Sequence, residues 1–95
     1  MEPVGKVTAT LVAQNTFSGA IAMHKGGFTF TLSGISGDTV YLQRSADQGV
    51  SWIDYAPFTA DGVFAFNETN HGSQYRFGIK TGGYSAGTVI GIISF

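Results

Sequence analysis

Turn signals cut this chain into short segments at roughly 8–12-residue spacing. Between them, apolar residues recur at every second position. A period of two marks a strand with one buried face; a helix needs a period near 3.6, and no convincing helix is found. The clearest case is FTFTL, residues 28–32, with Phe28, Phe30 and Leu32 facing inward and Thr29 and Thr31 outward. Val7, Ala9 and Leu11 alternate with Thr8 and Thr10. Phe64 and Phe66 share a face of VFAFN, residues 63–67. Tyr75, Phe77 and Ile79 alternate with Arg76, Gly78 and Lys80. Residues 20–23 are apolar but too few to show a period. Turns are expected at 15–19, 24–27, 33–38, 68–73 and 81–87, with an Asp-Gly hairpin at 59–62 and a ladder limited by Pro57. The expected architecture is all-β: a single domain, 1–95, folded as a small antiparallel β-sandwich or barrel of seven to eight strands.

The stretch VYLQRSADQGVSWIDY, residues 40–55, reads as strand, tight turn, strand. Val40 and Leu42 lie on one face, Tyr41 and Gln43 on the other, and the second strand opens on Ser51 and Trp52. In the turn, the Asp47 carboxylate is placed to accept backbone N–H groups that the ladder leaves over. Gly49 supplies a conformation that side-chain-bearing residues resist. Trp52, the one tryptophan, brings a large apolar surface to the foot of the turn. The spacing of Ser45, Asp47, Gly49, Ser51 and Trp52 is similar to the Asp-box, a hairpin motif of sialidases and other β-proteins. That similarity implies a structural turn in a compact β-protein. A single copy in 95 residues argues against a propeller, which repeats its blades.

Charge is scarce. Asp, Glu, Lys and Arg make up 12% of the chain, about half the usual ~25%. The net charge of −1 offers no basic field for nucleic acid or anionic lipid. No run approaches the ~20 apolar residues of a membrane-spanning helix. With no cysteine, neither a disulfide nor a thiolate metal site is expected. MEPVGKVTAT has no basic segment leading into an apolar run, so no signal peptide is expected. A weakly charged, glycine-rich and aromatic-rich small β-chain is expected to work packed against other proteins.

Nothing in the sequence marks a catalytic site, and the chain is not expected to be an enzyme or to hold a cofactor. His24 and His71 fall in polar loops with no activated serine nearby. The acids are scattered, without the alternating oxygen ligands of a calcium loop. KTGGYSAG, residues 80–87, lacks the order of a phosphate loop and leads into a strand. Asn67-Glu68-Thr69 is a formal glycosylation sequon. The final strand, residues 88–95, presents apolar residues on both faces: Val89, Ile90, Ile92, Ile93 and Phe95. It must therefore be covered on both sides or lie in a subunit interface. Ile92, Ile93 and Phe95 are thus candidate interface residues, together with Tyr41 and Tyr84, whose rings suit either a protein contact or a sugar face.

AQNTFSGAI, FTFTLSG, TVYLQRSADQGVSW and QYRFGIKTGGYSAGTV together resemble a family of small proteins of tailed bacteriophages. The shared pattern is Leu-Gln-Arg-Ser, an acidic-glycine turn, a Trp, and later Tyr-Arg-x-Gly-x-Lys-Thr-Gly-x-Tyr-x-Ser-Gly-Thr. It falls here on residues 42–45, 47–49, 52 and 75–88. Ala86 stands where the pattern has serine, and Gly83 where Asp is common. The resemblance spans about residues 12–90 and carries over no active site. It implies a virion structural protein, assembled in the host cytoplasm. The expected role is capsid decoration: a homo-oligomer bound to the major capsid protein or another virion protein of the assembled head. The alternative is a tail- or fibre-associated module that binds host-surface glycans.

Overall fold

The computed structural model describes residues 6–22, 26–69 and 72–95. Among them are nine strands and no helix: β1 (Lys6–Leu11), β2 (Thr16–Phe17), β3 (Ile21–Ala22), β4 (Gly26–Ser33), β5 (Val40–Ser45), β6 (Ile53–Phe58), β7 (Gly62–Glu68), β8 (Gln74–Ile79) and β9 (Val89–Ser94). All pair antiparallel. They form two sheets, one ordered β1-β9-β4-β7, the other β2-β8-β5-β6 with β3 also on β8. The expected small β-sandwich is the observed architecture.

Thr16 pairs with Ile79 and Ile21 with Tyr75, so β2 and β3 lie along β8 as one interrupted strand. Counted so, eight strands alternate between sheets in the order of a jelly roll. One connection joins sequence neighbours that hydrogen-bond to each other as a hairpin, the turn between β5 and β6. Every other connection crosses from one sheet to the other.

This topology corrects several local expectations. Residues 59–62 do not make a hairpin, because β6 and β7 belong to different sheets. An Asp-Gly hairpin turn needs positive φ at its glycine, and Gly62 is not among the positive-φ residues. Asp61 instead accepts the Ile35 N–H at 2.9 Å, tying this crossover to the 33–38 loop. Residues 16–17, expected in a turn, are a short strand held by β8. Pro57 does not end its ladder; it lies within β6 opposite Tyr41, tolerated because β6 is an edge strand with one side unpaired. Met23, His24, Lys25 and His71 lie outside the described residues.

The inward faces are those the alternation marks. Phe28, Phe30 and Leu32 from β4 meet Leu42, Tyr75, Phe77 and Ile79 from the other sheet, all buried. Phe30 packs at ring-centroid distances of 5.1 Å from Phe77 and 5.2 Å from Phe58, and Phe58 at 4.5 Å from Phe64. In β9, Gly91 lies over the Phe77 ring so closely that a Cβ there would overlap it. That contact explains a glycine inside an otherwise Ile/Val strand. Ile93 is fully buried in this core. It is therefore removed from the candidate interface set, since its parity on β9 turns it inward.

Candidate functional site

The hairpin turn forms as its residue spacing requires. Ser51 donates both its N–H (2.9 Å) and its hydroxyl to the Asp47 carboxylate, and the Ser45 hydroxyl donates to Oδ1 at 2.7 Å. The Gly49 N–H donates to Ser45 Oγ at 2.8 Å. Gln48 and Gly49 both have positive φ, 61° and 87°. Ser51 is thus consumed by the turn, and β6 starts at Ile53, two residues later than expected. The Ser51 hydroxyl, then the Ser45 hydroxyl and the Ser51 N–H, hold the Asp47 carboxyl at about 2, below its usual value. Because the folded pKa is depressed, this stabilisation is present above the unfolded value near ~4 and is lost as pH falls toward ~2. Asp47→Ala is expected to lower Tm at neutral pH and to flatten the acid limb of the Tm–pH curve. A mutant with an unchanged curve would mean that the turn holds without its carboxylate.

The two outer sheet faces differ sharply in chemistry. On β5, β6 and β8, Arg76 lies between aromatic rings, its guanidinium carbon 4.4 Å from the Phe17 centroid and 4.5 Å from that of Trp52. Arg76 Nε donates to Gln43 Oε1 at 2.8 Å, Gln43 Nε2 donates to Asp54 Oδ1 at 2.9 Å, and Lys80 Nζ meets Asp54 Oδ2 at 2.7 Å. Lys80 also sits 4.8 Å over the Tyr41 ring. The Lys80 contact, with help from Gln43, lowers the Asp54 pKa, and the Asp54 contact raises that of Lys80. Tyr41 is thus half-buried beneath a cation, and Trp52 is an arginine platform rather than core.

On the other sheet, the outward positions are Lys6, Thr8 and Thr10 of β1; Ile90, Ile92 and Ser94 of β9; Gly27, Thr29, Thr31 and Ser33 of β4; and Val63, Ala65 and Asn67 of β7. Lys6 is the one formal charge among them. Ile90 and Ile92 run down the middle, the first exposed and the second half-buried. Of the candidate interface residues, Ile92 keeps its place here. Tyr84 and Phe95 are half-buried and pack against the core.

Between the sheets at one end lies a polar cluster that the sequence reading did not find. Arg44 of β5 makes a bidentate pair with Glu68 of β7, Nε to Oε1 and Nη2 to Oε2, both 3.0 Å. Tyr75 donates its hydroxyl to Glu68 Oε1 at 2.6 Å, and Arg44 Nη2 donates to Ser73 Oγ at 2.9 Å. The Glu68 side chain is 1% exposed and that of Arg44 18%. Burial and then the Glu68 bond push the Tyr75 phenol well above its ordinary range, so it stays a donor. Arg44, Ile53, Tyr55, Asn67, Glu68, Thr69 and Tyr75 line an open cleft of about 330 Å³. Glu68 was expected in a loop; it is the last residue of β7. The available signal was parity: Glu68 continues the inward series Phe64, Phe66, and Arg44 continues Val40, Leu42. Among the described residues no cluster of His, Cys, Asp or Glu could hold a metal ion.

No family model matches the chain, and no curated protein matches its sequence. Among solved structures, the chain is similar to the Yersinia pseudotuberculosis-derived mitogen, with a TM-score of 0.54 and 12% identity over 99% of this chain and 86% of that one. At that identity the likeness is one of fold.

Proposed function

We propose that this protein is a structural component of a tailed-phage virion and decorates the assembled head, binding the major capsid protein or another virion protein as a homo-oligomer. The observation that carries the reading is the outer face of β1-β9-β4-β7: a four-stranded surface of Thr, Ser, Ile, Val, Ala, Gly and Asn with Lys6 as its one charge among the described residues. Such a face binds through apolar and shape contacts and discourages charged solutes. The motif resemblance across residues 42–88 supports a virion role. The jelly-roll order, which capsid domains share with lectins, is compatible with it by analogy.

The test is uptake by purified heads that lack the protein. Binding is expected to saturate at a stoichiometry set by the shell lattice. It should change little between low and high salt, because screening acts on exposed charges. Ile90→Glu, placed on the outer face, is expected to abolish uptake while leaving Tm unchanged. Uptake by Ile90→Glu equal to wild type would overturn the reading. A second reading, a glycan-binding module, is favoured by the aromatic and polar outer face carrying Tyr41, Trp52 and Arg76. It requires retention on host polysaccharide without uptake by bare heads, and loss of that retention in Tyr41→Ala.

A further inference from the structure

A sandwich of this order has four sheet edges, and three of them carry features that discourage further strand pairing. β1 opens with Lys6. β2 and β3 are two residues each and interrupted. β6 carries Pro57, an outward Asp54 and a register shift against β5. Charge, proline, bulges and shortness are the devices by which edge strands are guarded. Along residues 62–67, β7 has none of them. It runs seven residues, Gly62–Glu68, in unbroken register with β4, contains no proline, and has as its single charge the inward-facing Glu68 held by Arg44. Its other side pairs with no strand among the described residues.

Three of the six exposed large apolar side chains among the described residues lie on this edge strand and its neighbour. Val63 on β7 is 72% exposed, and Ile53 and Tyr55 on the neighbouring edge strand β6 are 62% and 42% exposed. β6 and β7 end the two sheets side by side, with Tyr55 5.7 Å from Phe66 and Phe58 4.5 Å from Phe64 between ring centroids. An open hydrogen-bonding edge beside an exposed apolar seam calls for a strand to cover it, and for more chain behind that strand to cover β6.

We infer that the occupant is a second copy of this chain, paired antiparallel β7 to β7 about a two-fold axis at Ala65. Three observations favour self-pairing. First, residues 62–67 carry no charge, so no like charges meet across the axis. Second, the two-fold that pairs β7 with its partner's β7 also brings the two β6 edges together, so that Ile53 and Tyr55 lie against the partner's β6. Third, the pairing joins two four-stranded sheets into one of eight, so the two weakly charged outer faces become a single continuous surface. This inference specifies the contact of the homo-oligomer in the shell-binding reading, but its readout needs no heads, so the two can fail separately.

The test is the solution mass of the recombinant chain by sedimentation equilibrium. A dimer, twice 10.0 kDa, is expected. Ala65→Lys sets two ammonium groups against each other at the axis and is expected to give a monomer that keeps the wild-type circular-dichroism spectrum. Ala65→Glu alone is expected to do the same, and an equimolar mixture of the two variants is expected to restore the dimer mass. A merely structural role for Ala65 would not give that rescue. A wild-type monomer at high concentration, a trimer or other order that a two-fold edge cannot close, or a dimer untouched by Ala65→Lys would each overturn the inference.

Discussion

Glu68→Ala is expected to destabilise the protein by about 3 kcal/mol, the lower end of the ~3–5 kcal/mol observed when one partner of a buried ion pair is removed. The lower end applies because Arg44 retains some contact with water. The loss has little to do with the attraction itself. Without the carboxylate, the Arg44 guanidinium and the Tyr75 hydroxyl are left between the sheets with an acceptor missing. The control is the double replacement Arg44→Met with Glu68→Leu, which removes both charges together. It is expected to recover much of the loss, since a buried pair replaced by apolar side chains of similar size is often neutral. Denaturant unfolding of the three proteins decides it. A single mutant as stable as wild type would show that the pair is dispensable even when broken from one side.

Asp38→Ala is expected to cost about 3 kcal/mol, the upper part of the range for leaving buried donors without an acceptor. Asp38 is 1% exposed, and its two oxygens accept four backbone N–H groups: Ser36 at 3.1 Å, Ser85, Ala86 at 3.2 Å and Gly87 at 3.1 Å. It clamps the loop before β5 to the loop before β9, which are far apart in sequence. Burial raises the carboxyl's pKa, but the four backbone bonds, led by Ser85, outweigh it and bring the net value below the ordinary one. A depressed folded pKa means that the clamp contributes fully above the unfolded value near ~4 and fades as pH falls below it. Asp38→Ala should therefore lose most stability near neutral pH and draw closer to wild type in acid. An equal loss at pH 7 and at pH 3 would show that the carboxylate's charge is not what holds the loops.

Two of the acids that carry structure, Asp38 and Asp47, were legible to different degrees for a reason of distance. Asp47 bonds to Ser45 and Ser51, within four residues, so the spacing of the motif is already its geometry. Asp38 bonds across 47 to 49 residues to Ser85, Ala86 and Gly87, and nothing local marks it except a glycine-rich turn. The glycine-rich stretch before β9, without the order of a phosphate loop, is the donor half of this clamp. Gly87 in particular has no room for a Cβ beside Asp38.

Alternation in the sequence determined the all-β class and the inward side of β1, β4, β7 and β8, because side chains on a pleated strand point to opposite faces regardless of neighbours. Spacing determined the Asp47 turn, because its bonds are local. Strand partners were decided by tertiary structure. Residues 59–62 have the composition of a hairpin, yet they carry the chain from β6 in one sheet to β7 in the other, since β7 finds its pairing on β4, 30 to 42 residues earlier. The same step placed Glu68 beneath Arg44 and left β7 as an unguarded edge. Period two fixes a face, whereas a partner is fixed by which pairing of all the strands closes one core, and that choice is made by contacts distant in sequence.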